Sequence, residues 1–250
     1  MANPNKRESE DGELATAAAW GPLAFGEGPR IGVLGDSGCG KTEAMRRLIA
    51  GYMRRSPGTV LVVDDKEARP QFEGQLRRDA EELERRPPDP QLGRVIVFRG
   101  DRFDREGGEV DPETIAGVQW SLAQMGDPSL VVYDELSKAA NGGQWRRGAS
   151  STILWAFARG RSSGAASLWG DQETQSVPAA AFNQSSTLFV FRMTGPPLRL
   201  LGERGYLEPR GTVEKVIPSL PGDELPPAER GYFVALRRGR PWDEKVYRYR

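Results

Sequence analysis

Residues 31–42 read Ile31-Gly32-Val33-Leu34-Gly35-Asp36-Ser37-Gly38-Cys39-Gly40-Lys41-Thr42. A short apolar run, a glycine, four residues and then Gly-Lys-Thr make a complete Walker A pattern, with a strand before it and a helix after it. Glycines at these spacings let backbone N–H groups curl round phosphates, and the helix N-terminus adds the positive end of its dipole. The loop from Gly35 through Asp36, Ser37, Gly38, Cys39 and Gly40 to Lys41 and Thr42 is therefore the expected ATP-binding segment. Lys41 would neutralise the β- and γ-phosphates, and the Thr42 hydroxyl would ligate Mg. Cys39 stands at a variable position of the loop and reads as a small filler rather than a redox switch.

Outward from this loop, short apolar runs alternate with helical patterns, which is the mark of a mainly parallel sheet with crossover helices. Strands are expected at 31–34, 59–63, 94–98, 129–133, 165–169 and 187–191. Helices are expected from Lys41 to about Arg54, over the charged stretch Gln71 to Arg86, over Pro112 to Met125 with Asp111 as N-cap, and over Ser150 to Arg159. Near the end, Gly231 to Leu236 and Lys245 to Tyr249 alternate with period two, as an antiparallel hairpin does. The expected class is α/β: a P-loop NTPase, RecA-like sheet flanked by helices, with a C-terminal β-hairpin. Residues 1–20 read as a disordered arm and residues 21–250 as one ATPase domain. Pro218 to Pro227 is the best internal linker.

Composition narrows the chemistry. Among 250 residues there is no histidine and one cysteine, so Ser-His-Asp and Cys-His nucleophiles, His-based zinc sites and intrachain disulfides are excluded. Thirty-five basic residues balance thirty-five acidic ones, so any contact with nucleic acid must come from local patches. No apolar stretch reaches the roughly 20 residues that span a bilayer, and Met1 to Leu14 lacks an apolar signal core, so neither a transmembrane segment nor a signal peptide is expected.

Two further segments carry chemistry. Leu130-Val131-Val132-Tyr133-Asp134-Glu135 is an apolar strand ending in two carboxylates, the Walker B pattern. Asp134 would hold Mg, and Glu135 would polarise the attacking water, a group that small-molecule kinases do not need. No Asn/Thr-Lys-x-Asp guanine-reading motif is present. In Trp169-Gly170-Asp171-Gln172, a polar residue closes the next strand. If that strand lies beside the P-loop strand, Gln172 would point at the γ-phosphate; otherwise it is a loop amide. The loop Asn141 to Gly148 holds Trp145, Arg146 and Arg147 among glycines. It reads either as a phosphate-gripping DNA contact or as a solvated connection.

Asp134-Glu135, Arg161-Ser162-Ser163-Gly164, Gln172 and Val177-Pro178 together resemble the core of the HerA/FtsK superfamily of DNA-pumping ATPases. Asp64-Asp65-Lys66 fits the same pattern. The likeness is greatest to the minimal genome-packaging ATPases of internal-membrane viruses, tectivirus-like and archaeal, and extends over residues 28–250. Cellular members usually carry further domains.

The resemblance implies an ATP-hydrolysing motor, with ATP and Mg as cofactors, acting on double-stranded DNA without sequence preference. It implies a homo-oligomeric ring, usually a hexamer, a capsid or virion membrane-vertex partner, and a setting in the host cytoplasm or the virion. Arg161 matches the arginine that such rings donate to the neighbour's site, with Arg159 as competitor. The expected catalytic set is thus Lys41, Glu135, Gln172 and Arg161. A cellular DNA-processing motor and a non-motor ATP-dependent switch or scaffold are the alternative functions.

Overall fold

The computed structural model describes residues 28–64, 71–77, 82, 85, 89, 93–98, 112–139, 153, 157, 160–204, 206, 212–224, 226, 230–237 and 246–248, with the main chain alone for Pro112, Glu113, Arg161, Ser162, Thr212, Val213, Glu214 and Arg237. The described elements are β1 (Arg30–Leu34), α1 (Lys41–Met53), β2 (Val60–Val63), β3 (Gln75–Arg77), β4 (Val95–Phe98), α2 (Pro112–Gln124), β5 (Leu130–Tyr133), α3 (Leu136–Ala139), a 3-10 turn (Gly160–Ser163), β6 (Ala166–Asp171), α4 (Ala179–Gln184), β7 (Thr187–Val190), α5 (Pro196–Glu203), α6 (Thr212–Ser219), β8 (Tyr232–Arg237) and β9 (Val246–Arg248).

The strands form one nine-stranded sheet in the order β3-β4-β2-β5-β6-β1-β7-β8-β9. β1 to β7 pair in parallel, whereas β8 pairs antiparallel to β7 and β9 antiparallel to β8. The expected α/β class and the closing hairpin are therefore both present. The central strands are wholly apolar (Val60 to Val63, Leu130 to Tyr133) and buried along their length, as strands covered on both faces must be.

Alternate residues feed two cores. Ile31, Val33, Val60 and Val62 face α1, which presents Ala44, Met45, Leu48, Ile49 and Tyr52 along one stripe. Leu34, Leu61 and Val63 face the other layer, where Ile115, Phe182, Leu198, Leu201 and Ile217 arrive from α2, α4, α5 and α6. Ile153 and Phe157, both helical, are buried in that layer too.

The end of the sheet where β2 begins is tied by polar side chains. The Arg94 guanidinium donates to the carbonyls of Met53, Ser56 and Gly58, closing the C-terminal turn of α1. The Asp127 carboxylate accepts from both the backbone N–H and the hydroxyl of Thr59. The opposite end, where β1, β5 and β6 finish, is left for the site.

The first part of one expected helix is corrected, whereas Glu82 and Arg85 within it are helical. The stretch Gln71 to Arg86 contains β3, pairing in parallel with β4. Its pattern is inverted relative to an ordinary strand: Gln75 and Arg77 are 6% and 4% exposed, and Leu76 is 53% exposed. The Gln75 amide makes the burial tolerable by donating to the carbonyls of Asp89 and Gly93 and accepting from the Asp89 N–H and Arg77. The short helices α4, α5 and α6 have no counterpart in the sequence expectations. The Pro/Gly-rich stretch read as a linker ends α6 and buries Leu220 in the core. Among the described residues, no helix is long and apolar enough to cross a membrane.

Candidate active site

The loop 35–42 joins β1 to α1, and its shape depends on glycine at two places. Gly35 has φ +151° and sits so close to β7 that a Cβ would lie 2.7 Å from the Phe191 Cβ. Gly40 precedes α1 with φ +106°, a left-handed conformation that a side chain would strain. The loop is hung from the end of β7, since the Asp36 N–H donates to the Arg192 carbonyl at 2.8 Å. Lys41 folds back over it, its Nζ 2.7 Å from the Gly35 carbonyl and 2.6 Å from that of Asp36. The ammonium is thus held by the loop's own carbonyls. Cys39 is fully buried beneath, its Sγ donating to the Asp36 carbonyl, and burial pushes its thiol pKa up.

β6 runs between β1 and β5, with Leu34 opposite Asp171 and Tyr133 opposite Trp169. The condition set for Gln172 is met: its strand borders the P-loop strand. Gln172 Nε2 donates to Glu135 Oε1 at 3.2 Å, while Lys138 Nζ lies 2.6 Å from Glu135 Oε2. Both carboxylate oxygens of Glu135 are therefore engaged by polar hydrogens from different directions.

Asp134 closes β5 and is 4% exposed. Gly170 keeps it close to α1: a Cβ there would lie 2.7 Å from the Asp134 carbonyl and 2.8 Å from the sulfur of Met45. Met45 is three residues beyond Thr42, so the acid and the hydroxyl belong to one corner of the fold. Among the described residues no group of three or more His, Cys, Asp and Glu side chains gathers as a metal cage. A hydroxyl plus one carboxylate fits Mg, which keeps waters and takes its remaining oxygens from phosphates.

Asp171 is a site residue the sequence reading missed. It is buried, and its carboxylate accepts the Ser137 N–H on Oδ2 and the Glu173 N–H on Oδ1, each at 2.7 Å. It thereby caps α3 from the neighbouring strand and fixes the backbone on both sides of the Glu135–Gln172 contact. Desolvation raises its pKa above the usual carboxylate value, against the pull of those N–H donors. The signal was in the sequence, a carboxylate directly before Gln172 at a strand end. Asp64 does similar work at the end of β2, its Oδ2 accepting the Gln71 N–H at 2.7 Å.

Arg161 is not brought to this cluster. It stands in the 3-10 turn before β6, and the six residues of β6 separate that turn from Gln172. At about 3.3 Å per residue the strand is roughly 20 Å long, so Arg161 belongs to the opposite end of the strands from its own P-loop. Arg159, Trp145, Arg146, Arg147, Asp65 and Lys66 lie outside the described residues, as does the arm 1–20.

No family model matches the chain, and no curated protein sequence does either. Solved structures do. The genome-packaging NTPase B204 of Sulfolobus turreted icosahedral virus 2, in complex with sulfate, superposes with a TM-score of 0.64 over 90% of this chain and 98% of that one, at 12% identity. The fold is that of a P-loop ATPase. The cytoplasmic domain of the type VII secretion ATPase EccC from Thermomonospora curvata shares it at TM-score 0.52 and 18% identity, over 90% of this chain and 25% of that one. The pCW3 conjugation coupling protein TcpA, with ATPγS, shares it at TM-score 0.52 and 12% identity, over 89% and 60%. B204 has also been solved with AMPPCP and with ATPγS.

Proposed function

We propose that the chain is an ATP-hydrolysing motor that moves double-stranded DNA, and that its task is to package a viral genome. The hydrolytic part rests on one observation, the Gln172 amide on the Glu135 carboxylate at 3.2 Å beside the P-loop strand. A glutamate held at the end of β5 by an amide from the adjacent strand is arranged to accept a proton from water.

In this reading, phosphates entering loop 35–42 draw Lys41 Nζ from the Gly35 and Asp36 carbonyls onto their own oxygens. Thr42 and Asp134 would hold a Mg ion, which supplies charge neutralisation at the phosphates. Glu135 orients the water for in-line attack, and Gln172 registers whether the γ-phosphate is present. Arg161, at the far end of the strands, is suited to serve the site of a neighbouring subunit in a ring.

Support for the DNA-moving and packaging role comes from the likeness to the packaging NTPase B204, which the chain matches over nearly that protein's whole length. The partners would be DNA without sequence preference, further copies of the chain in a hexamer, and a capsid or membrane-vertex protein. The likeness to the conjugation coupling protein TcpA supports a second reading, a cellular DNA-processing motor. Phosphate release from ATP, measured with and without linear double-stranded DNA over a range of salt, tests the motor. Stimulation that is independent of base sequence is expected, and its absence at every salt concentration would overturn the assignment.

A further inference from the structure

The Walker A loop has a second neighbour besides β7. Asp223, Arg230 and Gly231, between α6 and β8, lie against it. The Arg230 guanidinium donates from Nη1 to the Gly38 carbonyl at 3.1 Å and from Nη2 to the Asp223 carbonyl at 2.8 Å. A Cβ on Gly38 would lie 2.9 Å from that of Asp223, and one on Gly40 would lie 3.1 Å from the Gly231 Cα. The segment is itself anchored to the end of β7: Glu224 pairs with Arg192 and accepts the Gly222 N–H. That backbone donor, with Arg192 beside it, holds the Glu224 carboxyl below the usual range. Gly222, Asp223, Glu224 and Arg230 therefore form a fastened lap on the P-loop.

The lap lies on one particular side. Glu135 and Gln172 approach β1 from the β5–β6 side, so the end of a nucleotide that reacts with water must point that way. Loop 35–42 takes up the phosphates, and the nucleoside then leaves on the other side. There the ends of β7 and β8 and the lap between α6 and β8 are the wall it meets. The geometry points to Arg230 as a nucleotide-binding residue that contacts the nucleoside end of ATP, with Asp223 and Gly231 forming the wall behind it. This rests on the nucleotide-binding reading of loop 35–42.

Titration calorimetry of the full chain with AMPPCP and with inorganic tripolyphosphate separates the two ends of the ligand. Arg230→Ala is expected to weaken AMPPCP about tenfold, the lower range for a hydrogen bond to a charged group, and to leave tripolyphosphate within about twofold. Arg230→Gln, with thermal midpoint matched to wild type, gives the same ratio and removes folding as the cause. Lys41→Ala weakens both ligands. Equal losses for both ligands in the Arg230 variants would overturn the inference, since the arginine would then only brace the loop or meet phosphate. Unchanged affinity for both would overturn it as well. If the wild-type chain bound neither ligand, the nucleotide reading of the loop would itself fail, and this inference with it.

Discussion

Gln172 reaches across from β6 to give its amide hydrogen to Glu135 at the end of β5, 37 residues earlier in the chain. Two positions that the sequence separates by α3, a 3-10 turn and β6 thus meet at one carboxylate. That contact makes the first prediction. Glu135→Gln should lower ATP turnover by at least about 100-fold, the range of general-base catalysis, with AMPPCP affinity retained. Gln172→Ala should lower kcat by about tenfold, in line with a hydrogen bond to a charged group, while KM moves little. A loss confined to KM would show that the amide binds substrate and does not position the base.

Lys138 occupies the other oxygen of Glu135 through an ion pair whose lysine is 56% exposed and whose glutamate is 14% exposed. An exposed pair of this kind contributes roughly 0.2–1 kcal/mol. Lys138→Met should raise DNA-free turnover by about two- to fivefold, the factor corresponding to that energy. Lys138→Arg should behave as wild type. Steady-state phosphate release checks this, and a fall in the methionine variant would show that the ammonium assists the glutamate.

Asp171 links stability to pH. Its folded-state pKa is raised by desolvation above the ordinary aspartate value of 3.8. Its contribution to stability is therefore fully present below 3.8 and is lost as pH rises through the folded value. Asp171→Asn does not titrate, so the thermal midpoint of wild type minus that of the variant should shrink as pH rises upward from 3.8. A difference that is flat or widens with pH would contradict the buried, desolvated placement. Scanning calorimetry of both proteins is sufficient.

Arg161 tests the ring. Arg161→Ala should bind AMPPCP as wild type does and lose at least about 1,000-fold in turnover, as trans arginines do. Mixing it with Lys41→Ala subunits should restore activity at interfaces that pair an intact loop with an intact arginine. No recovery at any ratio would indicate that the arginine acts within its own chain or not at all.

Gly170 carries the fourth structural constraint. Gly170→Ala forces a methyl group against the Asp134 carbonyl and the Met45 sulfur. Overpacking of this kind costs about 1–3 kcal/mol. It should lower the thermal midpoint and, by moving α1 from β5, weaken Mg-dependent nucleotide binding more than Mg-free binding.

Much of this was legible because local chemistry and global fold agree here. Loop 35–42 carries its glycines where positive φ is needed, and the central strands are apolar throughout because both faces are covered. β3 escaped because its buried positions are held by Gln75 and Arg77, whose burial depends on partners up to 18 residues away. Gln172 could be proposed but its partner could not, since the meeting with Glu135 follows from strand order and not from spacing. Asp171 went unseen for the same reason, its acceptor role being to α3 across the sheet.

The single cysteine offers a practical consequence. Cys39 is fully buried under the loop with its thiol pKa raised, so thiolate-directed reagents should find it slow to react. Because no other thiol exists in the chain, bulk alkylation of the unmodified protein reports on this one position. The labelling rate becomes an intrinsic clock for how often the P-loop lifts off its bed, readable by intact mass at each stage of the nucleotide cycle without an engineered probe.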